Sequence, residues 1–339
     1  MTSLSTSPRA EKAFSATTKG VVLGVIFDST TMTWCLPREK LNDSLLLIQK
    51  ILNQPLCTLL QFQKLHGKLN DFAQLCIFMK GFKFHQNRFL RQLNSATNKQ
   101  LPLPTLVRHE VQTWAKCITF AANGLPIPTI RLNPPLFHFS FVSDAAGAAY
   151  TYRRGHRVHI SEPGDRGVAS LGIVGPTFSF VAVVKWPMEF LVKYGTQSSV
   201  FEAIGLLLPF IGIPAQLQNR HILLLVDNEA FAKAWLRRVA KYNETMAIFI
   251  QTLHLLESML PCKIYVHYLK RCSTTPAKLV DQLSRSSTTT EKTWQAINYV
   301  TPGPTPIDGP ILNWLQHPFP DWQLPLLLLN HVKSKLSSN

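Results

Sequence analysis

The chain has 339 residues, with 35 Lys and Arg against 19 Asp and Glu and a formal net charge of +16. That length allows two modest domains, each burying its own core, and the surplus of positive charge favours a polyanionic partner, nucleic acid ahead of an anionic membrane. Six cysteines stand singly, with no C-x-x-C pair, which argues against a zinc cage or disulfide framework and for a reducing intracellular setting, cytoplasmic or nuclear.

Residues 1–20 are rich in Ser, Thr and Lys with no apolar export core, and read as a disordered leader. Two β-rich runs, 21–27 and 31–35, flank Asp28-Ser29-Thr30 in the pattern of a hairpin. Leu41, Leu45, Ile48 and Leu52 then recur at helical spacing, and 59–72 and 78–93 continue so, with breaks at Gln54-Pro55 and near Lys80-Gly81. These helices carry His66, Lys68, Lys80, Lys83, His85, Arg88 and Arg91. Either they form a solvated face or they grip phosphates.

A helix is expected over 106–123, followed by a stiff connector containing Pro126, Pro128, Pro134 and Pro135, where the domain boundary is placed. Beyond it, strands are expected at 137–142, 148–152 and 179–185, a helix at 198–211 and a strand at 222–226. Helices at 228–239 and 243–260, a strand at 263–268 and a short helix at 276–283 complete the series. Three strands followed by alternating helices and strands imply an α/β fold, a mixed sheet with flanking helices. Residues 286–339 form a Pro/Ser/Thr-rich tail, expected to be poorly ordered. The apolar stretch 201–214 is broken by Glu202 and two prolines, and 326–329 is far too short for about 30 Å of hydrocarbon. No membrane partner is expected.

Four acidic residues stand at strand ends or on helices that pack over them. Asp144 ends the run Phe-His-Phe-Ser-Phe-Val-Ser and precedes Ala-Ala-Gly; Glu202 sits in the first helix after the three strands. Asp227 ends Ile-Leu-Leu-Leu-Val, and Asp281 lies in Lys-Leu-Val-Asp-Gln-Leu-Ser-Arg. Gathered together, four carboxylates repel unless cations sit among them. An all-oxygen set suits Mg²⁺ or Mn²⁺, and two such ions about 4 Å apart suit hydrolysis of a phosphodiester. Each residue also has a plainer role. Asp144 terminates a strand, Asp227 caps the next helix, Glu202 is solvated, and Asp281 pairs with Arg285 four positions on.

Asp, Glu, Asp and Asp, on first strand, first helix, fourth strand and last helix, resemble the type I ribonuclease H fold. The strings Val-Ser-Asp-Ala-Ala-Gly (142–147), Phe-Glu-Ala (201–203), Leu-Val-Asp-Asn-Glu-Ala (225–230) and Leu-Val-Asp-Gln-Leu-Ser-Arg (279–285) are similar to the ribonuclease H-like domain of tyrosine-recombinase retrotransposons of the DIRS, Ngaro and PAT kind. The resemblance covers about half the chain. It implies that Asp144, Glu202, Asp227 and Asp281 are the metal-binding, catalytic carboxylates of a ribonuclease H-like domain over 136–285.

Upstream, Val-Leu-Gly-Val-Ile-Phe-Asp (22–28), Leu-Pro-Arg-Glu-Lys (36–40) and Leu-His-Gly-Lys-Leu-Asn (65–70) resemble the primer-grip hairpin and helical thumb that follow the palm of the same elements' reverse transcriptases. That region covers 21–125, and Lys68, Lys80, Lys83, Arg88 and Arg91 would hold the backbone of a hybrid duplex. The chain contains no Asp-Asp pair, so no polymerase activity is expected, and a separate polymerase subunit is left open. Many ribonuclease H enzymes place a histidine ten residues before the last aspartate; here that residue is Arg271, with His267 four earlier. Ser143 and Asn228 either cap and turn the chain, the favoured reading, or touch the nucleic-acid backbone or a 2′-hydroxyl. Lys270, Arg271 and Arg285 flank Asp281 to bind phosphate, unless an ion pair with Asp281 takes one of them. The reading is a divalent-metal endonuclease for the RNA strand of RNA/DNA hybrids. The alternative is an inactive retroelement remnant that binds nucleic acid.

Overall fold

The computed structural model describes residues 18–22, 24–122, 124–126, 136–146, 150–153, 156–159, 167–174, 177–185, 198–241, 243–271, 273–285 and 324–337. The chain divides into two compact units, Met1–Leu132 and Asn133–Asn339. Pro128, Pro134 and Pro135, Gly147, most of the expected leader and most of the tail lie outside the described residues.

The first unit begins with three antiparallel strands, β1 (Lys19–Val22), β2 (Val25–Asp28) and β3 (Thr33–Cys35). The single strand expected over 21–27 is thus two, folded back at Gly24, whose φ of +76° is a conformation that glycine adopts without a Cβ clash. The Asp28 carboxylate accepts from the backbone N–H of Thr30 at 3.0 Å and of Thr31 at 3.2 Å, which closes the next turn. Helices α1 (Arg38–Asn53), α2 (Leu59–Leu75), α3 (Phe84–Ser95) and α4 (Thr105–Ala121) follow, with a 3₁₀ stretch at Ile77–Lys83. Thr58 and Gln61 start α2 with a reciprocal capping box. Leu41, Ser44, Ile48 and Ile51 are the buried stripe of α1, a shift of one position from the expected Leu45 and Leu52, which are half-buried. Short strands β4 (Cys57–Thr58) and β5 (Gln100–Leu101) pair with each other, and β6 (Leu125–Pro126) adds to β3.

The second unit is built on five strands: β7 (Phe139–Ala145), β10 (Gly167–Val174), β11 (Thr177–Lys185), β12 (His221–Val226) and β13 (Lys263–Tyr268). Their order is β11-β10-β7-β12-β13, antiparallel on the β10 and β11 side and parallel from β7 through β12 to β13. The residues of the expected strand 148–152 lie in a separate hairpin, β8 (Tyr150–Arg153) with β9 (His156–His159). The sheet's second strand is β10, which sequence reasoning missed. Val168, Ala169 and Leu171 are all fully buried, so the strand is covered on both faces and shows no apolar-polar alternation.

Helix α5 (Ser198–Gly212) lies on one face, together with α6 (Glu229–Arg237) and α7 (Glu244–Met259), over a core that includes Phe141, Val168, Phe201, Leu224, Phe231 and Phe249. Helix α8 (Thr275–Arg285) covers the opposite face, where Ala277, Val280 and Leu283 meet Val142, Ala169, Leu171 and Val181. Odd and even residues of β7 therefore face different helices. The expectation of a tail without structure fails at α9 (Leu324–Ser337), which seats Leu328 and Val332 in the α5–α7 core. Their spacing of four is the helical signal that the surrounding prolines obscured. No helix among the described residues is long and apolar enough to cross a membrane.

Candidate active site

Parallel pairing of β7 and β12 sets Ser143 opposite Val226. Asp144 and Asp227, each one residue further on, therefore stand side by side where the two central strands end. Asp144 shares its face of β7 with Val142 and so points to α8. Ser284 of α8 donates its hydroxyl to Asp144 Oδ2 at 3.3 Å, and Asp281, one turn earlier, also reaches Asp144 by a hydrogen bond. Ser143 points the other way: its Oγ donates to the Gly205 carbonyl of α5 at 3.0 Å and lies 3.0 Å from Ser170 Oγ.

Gly205 explains how α5 comes so near. A Cβ there would stand 2.9 Å from Val168 Cγ2 and 3.0 Å from Ser143 Cβ, so only glycine lets the helix backbone rest on these strands. Glu202 is three residues before Gly205 and shares its helix face. Its Oε2 is buried without a hydrogen-bond partner. The plainer expectation that Asp227 caps α6 is corrected by the structure: Asn228 is the cap, accepting from Phe231 N at 2.9 Å.

The electrostatics follow from this crowding. Burial, then the charge of Asp227 and a hydrogen bond and charge from Asp281, push Asp144 from 3.8 up to about 7. Burial and the charges of Asp227 and Asp144 also push Glu202 up to about 7, against a hydrogen bond with Asn228. Burial raises Asp227, with Arg271 working against it. Two neighbouring carboxyls that resist ionisation mark a site where burial and mutual repulsion outweigh the opposing charge of Arg271.

The structure brings all four predicted carboxylates to one end of the sheet. It does not close them into a cage. Among the described residues no group of three or more His, Cys, Asp or Glu is disposed to hold a metal ion as the side chains stand. The reason is visible in the packing: Glu202 comes from the α5 layer and Asp281 from the α8 layer, and Asp281 is taken up by two arginines. Arg271 Nε and Nη2 donate to its Oδ1 at 3.1 and 2.5 Å, and Arg285 Nε donates to the same oxygen at 2.9 Å. The plain pairing of Asp281 with Arg285 is therefore present alongside the cluster. The donor chemistry still fits a hard divalent cation, because every ligand atom is oxygen and Glu202 Oε2 has its electrons unused.

A small, open pocket of about 10 Å³ lies at this end of the sheet, its lining including Asp144, Asp227 and Arg271. Lys270 is exposed beside it in sequence. In the first unit, Arg88 and Arg91 are exposed, Lys80 is half-buried, and Lys68 pairs with Asp43 at 3.3 Å. Lys83 corrects the expectation of a basic face. It is only 5% exposed, and burial pulls it down to about 8 although Glu110 pulls the other way. His85 is buried as well. Two site residues escaped sequence reasoning, Ser284 and Gly205. Only the spacing of Ser284, three after Asp281 on the same helix, pointed to it.

No family model and no curated protein matches the chain. Among solved structures, LC11-RNase H1, isolated from compost by a metagenomic approach, is matched at 14% identity with a TM-score of 0.30 over 44% of this chain and 93% of that one. The second unit has a ribonuclease H-like fold: its first strand lies at the centre, the second and third pair antiparallel on one side, and the fourth and fifth run parallel on the other. The four carboxylates fall on its first strand, first helix, fourth strand end and last sheet-covering helix.

Proposed function

We propose that the protein is a divalent-metal-dependent endonuclease that cuts the RNA strand of RNA/DNA hybrids, and that it is a segment of the reverse transcriptase of a tyrosine-recombinase retrotransposon without its polymerase centre. The observation that carries the reading is the convergence of Asp144, Glu202, Asp227 and Asp281 at one sheet end, with two of them held near neutrality. Carboxyls gathered against their own repulsion, at the ends of central strands, are the arrangement that a functional site requires.

Asp144, Asp227 and Glu202 would hold Mg²⁺ or Mn²⁺, with Asp281 joining when released from its arginines. Bound there, a pair of such ions supplies a nucleophilic water and Lewis-acid stabilisation of the leaving oxygen. The protein's own contribution is placement. Ser284 orients Asp144, Asn228 orients Glu202, and β7 and β12 fix the two aspartates at adjacent positions. Arg88 and Arg91, exposed on the first unit, and Lys270 offer phosphate contacts that carry affinity without sequence preference.

A second reading, nucleic-acid binding without cleavage, draws on the pairing of Asp281 with Arg271 and Arg285, which leaves the cluster unclosed. The two separate in one assay. Purified protein is incubated with a hybrid labelled on either strand, with duplex RNA and with duplex DNA, in Mg²⁺, Mn²⁺ or chelator. Cutting confined to the RNA of the hybrid and dependent on metal supports the nuclease; salt-sensitive binding with no product under any condition supports the binder.

A further inference from the structure

Arg271 lies in the loop between β13 and α8. It makes two hydrogen bonds to Asp281 Oδ1 and lines the same pocket as Asp144 and Asp227. Although burial disfavours its charge, attraction to Asp144, Asp281 and Asp227 outweighs that cost. Arg285 bonds the same Asp281 oxygen but lies a full turn further along α8, and it is absent from the pocket lining. So one guanidinium answers the whole cluster and the other answers one carboxylate. The Arg271 side chain is also 50% exposed, and it can swing into solvent without unpacking the core.

We infer that Arg271 is the built-in counter-cation of the carboxylate cluster, that a divalent ion must displace it, and that it thereby sets the metal affinity of the site. The inference rests on the metal-site reading of the cluster. Its logic is competition for the same lone pairs. A fixed positive charge within a few ångströms of an incoming divalent ion opposes its binding, and it occupies an oxygen of Asp281 that the ion would use. Until that exchange, the arginine reduces repulsion among the acids. Removing it therefore has opposite effects in the two states: the metal-free protein loses a stabilising charge, and the metal-bound protein loses a competitor.

The test is calorimetric titration of Mn²⁺ alone into the full chain, wild type beside Arg271→Gln, Arg271→Lys, Arg285→Gln and Asp144→Asn, with melting curves in chelator and in Mn²⁺. Arg271→Gln is expected to bind Mn²⁺ about tenfold more tightly or better, to melt below wild type in chelator and to gain more from Mn²⁺ than wild type does. Arg271→Lys, which keeps the charge, and Arg285→Gln are expected to stay within about threefold of wild type. If Arg271→Gln binds no tighter while Asp144→Asn loses binding, the inference fails and the metal site stands. A gain shared equally by Arg271→Lys also overturns it, since charge is then not the cause. If no variant binds Mn²⁺ at all, the inference and the nuclease reading fall together.

Discussion

Replacing Asp144 with Asn is predicted to make the metal-free protein more stable while removing its activity. The side chain is 5% exposed, beside Asp227 and Asp281, and its carboxyl is pushed from 3.8 to about 7. Each pH unit corresponds to about 1.4 kcal/mol, so the ionised group burdens the fold by roughly 4 kcal/mol at pH 8, and relaxation of the neighbouring carboxyls and Arg271 leaves about 2 kcal/mol to recover. The folded state holds this proton more tightly than the unfolded chain does. Wild-type stability accordingly falls as pH rises from 3.8 to about 7, and then levels. Asn keeps the shape and the acceptor that Ser284 uses. Melting followed by circular dichroism in chelator is expected to show the variant about 4–8 °C above wild type at pH 8, with no difference below pH 4. A variant that melts at or below wild type at pH 8 would refute the claim that the carboxylates are held together against their repulsion.

Glu110, 4% exposed on α4, accepts from the backbone N–H groups of His85 at 3.1 Å and Gln86 at 3.0 Å at the start of α3. Glu110→Gln puts an amide donor against one of them and is expected to cost about 2–4 kcal/mol, read as a lower urea midpoint for the first unit. Lys83 has its charged form disfavoured in the fold, so the first unit should gain stability as pH rises from about 8 to 10.5. Lys83→Met should abolish that rise, as urea titrations at pH 7.5 and 10 would show. Gly205→Ala drives a methyl into Val168 and Ser143 and is expected to cost about 1–3 kcal/mol by thermal melting. Because Glu202 rides on the same helix, the variant's cleavage rate should fall beyond what the loss of folded protein explains.

The framework of the second unit was legible because its signals are local and strong. Apolar runs ending in aspartate, of which Ile-Leu-Leu-Leu-Val before Asp227 is the clearest, announce central parallel strands. The helix holding Glu202 and the short helix holding Asp281 were likewise readable from their apolar spacing. What escaped depends on tertiary context. β10 hid because burial on both faces erases alternation, and α9 hid among prolines although Leu328 and Val332 were correctly spaced for a helix. Lys83 illustrates the opposite failure. A lysine in a basic run reads as solvated, and only the fold reveals that Glu110 lies close enough to accompany it into the interior. The engagement of Asp281 by two arginines was half visible: Arg285 stands at the helical spacing of four, whereas Arg271 reaches back from a loop ten residues away.

The most direct test of the nuclease account is the single-turnover rate at which the wild type and Asp227→Asn cut a 5′-labelled RNA annealed to DNA in Mg²⁺. Asp227 ends a central strand beside Asp144 and has no structural capping duty, since Asn228 carries that. The account predicts cleavage by the wild type that chelator stops, and a loss of at least about a thousandfold in the variant with hybrid binding retained. Cleavage that survives in Asp227→Asn at the wild-type rate would contradict it.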